Sequence, residues 1–278
     1  MKTLFTFLFV AIFVPTAYSQ SIQTTVVGDG DPVLLLAGFA STSDVWETIA
    51  EESLKNHELH LVDYAGFGKV PALESDFLET VRTDLREYVE ELDSDKLTII
   101  GHSMGGTFAA WLAAQPDLKI REIVIVDGLP ASGALMFPGV DLSTLVYDSP
   151  YNNQMLEIEP AAFEQTLEYM IPGMATAPEH QAIIKQSVLE TDRKTYVYGF
   201  TDYLKFDIRE DLKNIHVPVT ILGAGGMFGE KMATKTFRDQ YINLERYNLI
   251  MHPTSKHFIM YDDPQWLNNQ IAIVLKAK

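Results

Sequence analysis

The segment spanning residues 96–115, KLTIIGHSMGGTFAAWLAAQ, constrains the fold of this chain more than any other stretch. It reads as a short apolar strand, a tight turn and an alanine-rich helix. Ser103 lies at the tip of the turn, inside the pattern Gly-x-Ser-x-Gly. Gly101 and Gly105 lack the side chains that would collide where the strand and the helix pass each other. The segment therefore predicts a serine hydroxyl at the end of a strand, next to the free N–H groups of a helix N-terminus.

Strand and helix patterns alternate along most of the chain, which predicts an α/β fold with a mostly parallel sheet flanked by helices. The first predicted strand lies at the sheet edge. The predicted strands cover residues 22–27, 33–37, 59–63, 97–100, 123–126, 217–222 and 244–250. The clearest helices are predicted over residues 76–92, where apolar side chains recur at helical spacing, and over residues 264–276.

This alternation stops between residues 129 and 203. The segment carries helical patterns at residues 160–170 and 178–189 and no convincing strand, and it is longer than an ordinary connection. We interpret residues 129–203 as a helical cap inserted into a core formed by residues 20–128 and 204–278. A long crossover connection is the alternative interpretation.

The N-terminus has the features of an export signal. Lys2 precedes an apolar run over residues 4–14, and the small residues Ala17 and Ser19 occupy the two positions that a signal peptidase reads. About 11 apolar residues are too few to span a bilayer. We therefore predict a signal peptide over residues 1–19, no stable membrane anchor after cleavage, and an exported protein that is periplasmic or secreted.

Composition limits the partners and cofactors that this chain can use. A formal net charge of −17 disfavours nucleic acids and anionic membrane surfaces. The absence of cysteine excludes disulfides, a thiol nucleophile and a cysteine-ligated metal. The histidines lack metal-site spacing, and the glycine-rich run 223–229 lacks the ending of a phosphate loop. We expect a small-molecule substrate and neither a metal nor a cofactor, while the sequence leaves the oligomeric state open.

Three further segments resemble the α/β-hydrolase superfamily. Residues 37–39, followed by Trp46, resemble its strand and His-Gly-Phe segment, with alanine in place of histidine. Residues 63–68 resemble its Asp-x-Pro-Gly-x-Gly loop, with alanine in place of proline. Residues 256–258, followed by the Asp-Pro pair at 263–264, resemble the segment that carries its catalytic histidine. The resemblance covers nearly all of the chain after the predicted signal peptide.

The resemblance implies roles for individual residues. Ser103 is the predicted nucleophile, which needs an adjacent base because an ordinary hydroxyl is inert at neutral pH. His257 is the predicted base, preferred over the six other histidines by its place after the last predicted strand and by the residues that follow it. The backbone N–H groups of Phe39 and Met104 are the predicted oxyanion hole.

The catalytic acid is harder to predict, because the sequence departs from the superfamily pattern at the position where the acid usually lies. Most relatives carry it after the strand that corresponds to residues 217–222, where this chain has no carboxylate before Glu230. Asp127 follows the strand beside the nucleophile strand, a position that some superfamily members use, and it is our candidate. The alternatives are a structural role for Asp127, a contribution from Glu230, a Ser–His dyad, or an inactive protein.

The predicted cap begins directly after Asp127, and its large apolar residues should overhang Ser103. We predict a substrate pocket lined by Leu129, Leu135, Met136 and Phe137, although simple cap packing explains each of them equally well.

The leading hypothesis is an exported serine hydrolase that cleaves a small or medium apolar ester, a lactone or a thioester. A proline-iminopeptidase-like peptidase is an alternative, because the cap holds carboxylates that could bind a substrate amine. These are Glu157, Glu159, Glu164, Glu168 and Glu179. A non-catalytic binding or sensing protein on a hydrolase scaffold is a third reading, supported only by the missing acid.

Overall fold

The computed structural model describes residues 21–74 and 76–276. The predicted signal peptide lies outside these residues. In the described part, seven strands form one sheet in the order β1-β3-β2-β4-β5-β6-β7. They are β1 (Ile22–Val27), β2 (Asp31–Leu36), β3 (His57–Tyr64), β4 (Thr98–His102), β5 (Glu122–Val126), β6 (Val219–Ala224) and β7 (Asn248–His252).

The sheet is parallel except at one edge. β1 pairs antiparallel with β3, and all other neighbouring pairs are parallel. The central strands β2, β4 and β5 are almost completely buried, which explains why they read as continuous apolar runs rather than alternating ones. The predicted α/β fold and the edge position of the first strand are confirmed.

Eleven α-helices flank or extend this sheet within the described ranges. They are α1 (Glu47–Glu52), α2 (Phe77–Leu92), α3 (Met104–Ala113), α4 (Ser132–Met136), α5 (Pro150–Glu157), α6 (Pro160–Leu167), α7 (Pro178–Glu190), α8 (Arg193–Lys205), α9 (Glu230–Gln240), α10 (Ile259–Asp262) and α11 (Pro264–Lys276). The buried apolar stripe of α2 produces its helical spacing, so that helix is predicted within one residue. The bounds of α11 agree with the prediction.

The segment between β5 and β6 contains helices α4 to α8 and no strand among its residues 127–218, all of which are described. The two helices predicted there correspond to α6 and α7. Helix α8 is not predicted from the sequence, because its residues 193–205 are rich in aromatic and β-branched side chains and include Gly199. Such a composition favours a strand locally, whereas packing against α2, α4 and α5 stabilises a helix.

The last two strands begin later than predicted. Pro218 has no N–H group for a sheet ladder, and β6 starts directly after it. Leu244 belongs instead to a buried turn, in which its N–H donates to the Tyr241 carbonyl at 3.0 Å. No helix within residues 21–74 and 76–276 combines the length and the hydrophobicity needed to cross a bilayer.

Strand register brings the carboxyl ends of four strands to one edge of the sheet. His102 of β4 pairs with Val126 of β5, and Val126 pairs with Leu222 of β6. Ala224 in turn pairs with His252 of β7. Loops that leave these strands therefore start side by side, at the edge where open parallel sheets bind ligands.

Candidate active site

Ser103 occupies a strained turn between β4 and α3. Its backbone has φ +54° and ψ −118°, which a residue with a side chain rarely adopts. Its N–H donates to the Val126 carbonyl at 2.9 Å, so the turn is fixed to the neighbouring strand. A Cβ atom at Gly105 would lie 2.3 Å from the Leu36 carbonyl oxygen, so only glycine allows α3 to start this close to β2. Ser103 is partly exposed, whereas its neighbours His102 and Met104 are buried.

The loop after β2 lies against this turn. A Cβ atom at Gly38 would sit 3.2 Å from the Ser103 Cβ. Within the described residues, the backbone N–H groups of Phe39 and Met104 donate to no protein acceptor. Met104 is the first residue of α3, where N–H groups lack intrahelical partners. The two predicted oxyanion donors therefore lie on the two segments that meet at Ser103.

Two contacts hold the Phe39 loop in place. Asp63 accepts hydrogen bonds from the Ser43 N–H at 2.6 Å and from the Ser43 hydroxyl at 3.2 Å. Burial raises the pKa of Asp63, and these two hydrogen bonds oppose the rise. From the other side, the Ser187 hydroxyl of α7 donates to the Ala40 carbonyl at 2.8 Å. The loop is thus clamped between the core and the segment predicted as the cap.

His257 and Asp127 form a close pair at the same edge. His257 Nδ1 lies 2.6 Å from Asp127 Oδ2, although 130 positions separate the two residues. The second carboxylate oxygen, Oδ1, accepts the N–H of Ala224 at 2.8 Å, and Asp127 has φ +46°. Because a carboxylate only accepts hydrogen bonds, the proton of a neutral His257 ring lies on Nδ1 and Nε2 keeps a free lone pair. This arrangement suits a base whose tautomer is held by an acid.

The glycine-rich run after β6 supports the segment that carries His257. The N–H of Gly225 donates to the His252 carbonyl at 2.8 Å, and the N–H of Gly226 donates to the Ser255 carbonyl at 2.9 Å. A Cβ atom at Gly226 would lie 2.1 Å from the Thr254 carbonyl oxygen. Glu230 is exposed and begins α9, where its charge complements the helix dipole.

His102 supports His257 from the opposite side. Its Nε2 donates to the His257 carbonyl at 3.1 Å, and the two rings are 4.6 Å apart. His102 is completely buried, and this burial lowers its pKa well below the usual value. A ring that stays neutral with Nε2 as its donor can hold the His257 backbone. The sequence gives no local signal for this positioning role of His102.

The segment predicted as the cap also contacts the loop that carries His257. Asp262 accepts the N–H of Lys256 and the N–H of Thr176, each at 2.7 Å. The N–H of Phe258 donates to the Met174 carbonyl at 2.9 Å. The backbone on both sides of His257 is therefore tied down, which restricts where its ring can point.

Tyr203 lies beside this site and was not predicted as a site residue. The sequence marks it only as the last residue of the predicted cap. It is buried on α8, and its hydroxyl lies 2.8 Å from Ser132 Oγ and 3.3 Å from Thr107 Oγ1. Its ring is parallel to the Phe39 ring at 6.4 Å. The spacing of Tyr196, Phe200 and Tyr203 was the available signal, because it places three aromatic rings on one face of a helix.

Comparison with known proteins agrees with this architecture. The model of the alpha/beta hydrolase fold family matches residues 31–156, a range that contains Phe39, Ser103 and Asp127. A solved hydrolase from Pseudomonas aeruginosa superposes with a TM-score of 0.76 at 16% identity, over 97% of this chain and 99% of that one. The chain has the α/β-hydrolase fold.

Other similar proteins include esterases. The α/β-hydrolase is 28% identical over 190 residues to a pimeloyl-(acyl-carrier protein) methyl ester esterase from Citrobacter koseri, covering 67% of this chain and 72% of that protein. An esterase from Exiguobacterium antarcticum superposes with a TM-score of 0.74 at 18% identity, over 92% of this chain and 96% of the other.

The predicted pocket residues of this α/β-hydrolase lie in two environments. Leu129 is half-buried against the core, and its carbonyl accepts the Thr107 hydroxyl at 2.8 Å. Leu135, Met136 and Phe137, on α4 and directly after it, are 44%, 52% and 42% exposed. A substrate contact for these three side chains stays a prediction.

Two of the carboxylates considered for binding a substrate amine form ion pairs with a nearby lysine. Glu164 and Glu168 both bind the Lys185 ammonium, at 2.9 and 3.1 Å, on the surface of the α/β-hydrolase. Across the described ranges, no group of three or more His, Asp or Glu side chains is placed to hold a metal ion.

Proposed function

We propose that this α/β-hydrolase is an exported serine hydrolase that cleaves a small or medium apolar carboxylic ester, a lactone or a thioester. The observation that carries the proposal is the 2.6 Å contact between His257 Nδ1 and Asp127 Oδ2, at the sheet edge where the strained Ser103 turn lies. The esterases from Citrobacter koseri and Exiguobacterium antarcticum support an ester as the substrate.

In the first half of the reaction, the Ser103 Oγ attacks the ester carbonyl carbon while its proton passes to His257 Nε2. Asp127 stabilises the imidazolium that forms, because its carboxylate already accepts the Nδ1 proton. The negative charge that develops on the carbonyl oxygen is stabilised by the N–H groups of Phe39 and Met104. When the tetrahedral intermediate collapses, the proton on Nε2 passes to the leaving alcohol and Ser103 is acylated.

In the second half, water replaces the alcohol. His257 Nε2 removes a proton from the water as its oxygen attacks the acyl carbonyl, and the same two N–H groups stabilise the second oxyanion. The carboxylic acid leaves, and the proton on Nε2 returns to the Ser103 Oγ. The balanced reaction consumes one ester and one water and regenerates the enzyme.

An apolar substrate is favoured by the aromatic rings around Phe39, whose N–H is a predicted oxyanion donor. The Phe39 ring lies within 5.6 Å of the rings of Tyr196 and Phe200, measured between centroids, and is stacked on Tyr203. Such rings bury apolar groups and offer few hydrogen bonds. The formal net charge of −17 also disfavours strongly anionic substrates.

The test of the chemistry is a series of p-nitrophenyl esters of increasing acyl length, assayed with the wild-type protein and with Ser103→Ala. We expect hydrolysis that peaks at short or medium chains and that disappears in the variant. Proline p-nitroanilide is assayed in parallel. Hydrolysis of the anilide in preference to every ester would replace the esterase by the peptidase, and full activity in Ser103→Ala would exclude the serine mechanism.

Export is a separate part of the proposal and rests on the predicted signal peptide at residues 1–19. The test is expression of the full chain in a bacterium, followed by fractionation and mass measurement of the protein. We expect a periplasmic or secreted product that begins at Gln20. An uncleaved product confined to the cytoplasm would contradict the export proposal and leave the chemistry unaffected.

A further inference from the structure

Residues 252–263 connect β7 to α11 and carry His257 near their middle. His252 is the last residue of β7, and Asp263 directly precedes α11. The two side chains meet, because His252 Nε2 lies 3.1 Å from Asp263 Oδ2. A contact between side chains therefore joins the two ends of the segment that brings His257 to Asp127.

The partners of the His252 ring determine where its proton lies. Its Nδ1 accepts the Ser255 N–H at 2.8 Å, and a backbone N–H can only donate. The proton of the neutral ring therefore lies on Nε2 and is donated to Asp263. His257 has the opposite arrangement, with its proton on Nδ1 and a free Nε2. Both nitrogens of His252 are thus occupied, which suits a structural link and not a base.

Regular secondary structure anchors both partners of this link. Asp263 is the N-cap of α11: its Oδ1 accepts the Trp266 N–H at 2.9 Å, and its carbonyl accepts the Leu267 N–H at 3.2 Å. His252 is only 8% exposed, and its ring packs edge-on against the Trp266 ring with 4.9 Å between the centroids. The link therefore runs from the sheet to a helix, and both restrict its motion.

Ser255 connects the His252 ring to the backbone next to His257. It lies two positions before His257 and is 2% exposed. Its N–H donates to the His252 ring, and its carbonyl accepts the Gly226 N–H at 2.9 Å. A change at His252 would therefore move the backbone that carries His257. A displacement of about 1 Å can greatly reduce the rate of a positioned reacting group.

We propose that His252 is a positioning residue for His257: by binding Ser255 and Asp263 together, it holds the 252–263 segment in the shape that brings His257 Nδ1 to Asp127. The proposal rests on the proposed serine hydrolase function, in which His257 is the base. His252 acts through the backbone and exchanges no proton with the substrate. Its loss should therefore slow the chemical step and leave substrate binding unchanged.

The experiment removes the bond between His252 and Asp263 from either side. His252→Asn places an oxygen close to the position of Nδ1, so Ser255 keeps its acceptor, but the shorter side chain does not reach Asp263. Asp263→Ser keeps a good cap for α11 and is too short to reach His252. We expect kcat for ester hydrolysis to fall about 10-fold in each variant with KM unchanged. Labelling of Ser103 by a fluorophosphonate should slow by a similar factor.

The double variant shows whether His252 and Asp263 act through one bond. It should lose about the same factor in kcat as either single variant, because the bond can be removed only once. A loss equal to the product of the two single losses would overturn the proposal, because the residues would then act independently.

Proton NMR gives a second readout that a loss of stability alone does not change. The resonance of the proton between His257 Nδ1 and Asp127 should shift or broaden in the folded variants, because the proposal places the effect of His252 on that contact. Unchanged kcat, labelling and resonance in both single variants would overturn the proposal while the serine hydrolase stands. Absence of activity and labelling in the wild type would overturn both.

The matched control is His60→Asn. His60 is also a buried histidine with a partner at each nitrogen: Nδ1 lies 2.6 Å from the Tyr88 hydroxyl, and Nε2 lies 3.0 Å from Glu58 Oε1. It belongs to β3, at the antiparallel edge of the sheet. We expect this variant to keep kcat, labelling and the resonance, whatever stability it loses.

Thermal unfolding shows whether each variant is folded at the assay temperature. The Asp263 side chain is 41% exposed, so Asp263→Ser disturbs the packing less than His252→Asn and still tests the proposal if the latter does not fold.

Discussion

The ends of β5 and β6 lie side by side at the site and serve different purposes. Asp127 directly follows β5, and its carboxylate lies 2.6 Å from His257 Nδ1. β6 runs into the glycine-rich turn, which provides backbone N–H groups instead: Ala224 donates to Asp127, while Gly225 and Gly226 donate to the segment before His257. Both strand ends therefore lie near His257. The strand end without a carboxylate thus supports both the carboxylate on its neighbour and the segment before the histidine.

Backbone strain also differs between the ends of β5 and β6. Four non-glycine residues in the described ranges have positive φ, and three of them, Ala40, Ser103 and Asp127, lie at or beside the site. The end of β5 is therefore strained, while in the turn after β6 the positive φ falls on Gly229, where it costs little. Strain held in place by surrounding contacts is common at sites that orient reacting groups.

The largest effect is expected when the carboxylate that follows β5 is replaced. Asp127→Asn keeps the shape of the side chain but lets the amide donate to His257 Nδ1, which moves the proton to Nε2 and removes the base. We expect kcat to fall about 10³- to 10⁴-fold, as for other triads of this kind. Glu230→Gln, at the start of α9 after β6, is the matched control and should stay close to wild type. Equal small losses in the two variants would remove Asp127 from the mechanism.

The second test disturbs the support given by β6. In Gly226→Ala the new Cβ would lie 2.1 Å from the Thr254 carbonyl oxygen, so the segment before His257 must shift. We expect a loss of stability of about 1–3 kcal/mol, measured by urea unfolding, together with a lower kcat. Gly229→Ala is the control: at φ +81° it is strained, but nothing lies within 4 Å of its Cβ. It should lose about 1 kcal/mol and keep its kcat, and a matching loss of kcat would contradict a support specific to His257.

The third and smallest effect concerns His102, at the end of β4. Because burial lowers its pKa in the folded protein, the unfolded chain binds a proton near pH 6.5 that the folded protein does not. Stability should therefore fall as the pH drops below 6.5, by at most about 1.4 kcal/mol per pH unit for this group. Urea unfolding over a pH series measures the slope.

His102→Gln is the comparison for that slope, because glutamine keeps a side-chain donor and cannot titrate. We expect a flatter acid limb in the variant. Part of the slope should remain, since burial also lowers the pKa of His60. An identical slope in both proteins would show that His102 is not held neutral.

Much of the fold could be predicted because its causes are local. The Ser103 turn follows from small residues at fixed spacing, and α11 and α2 follow from their starting residues and apolar stripes. The miss at α8 has the opposite cause. Its aromatic and β-branched residues favour a strand in isolation, and only packing against α2, α4 and α5 makes them helical.

The sequence by itself determined the alternating α/β pattern and the position of Ser103, because hydrophobic period and steric limits in a tight turn act over a few residues. It indicated Asp127 as the candidate acid, left Glu230, a Ser–His dyad and an inactive protein as alternatives, and gave no role to Tyr203. Only the tertiary structure decided that Asp127 meets His257 across 130 positions and that Tyr203 contacts Thr107 and Ser132 beside the nucleophile turn. These contacts depend on strand register and helix packing. Both arise from many weak interactions over the whole chain, so the local sequence around the contacting residues does not reveal them.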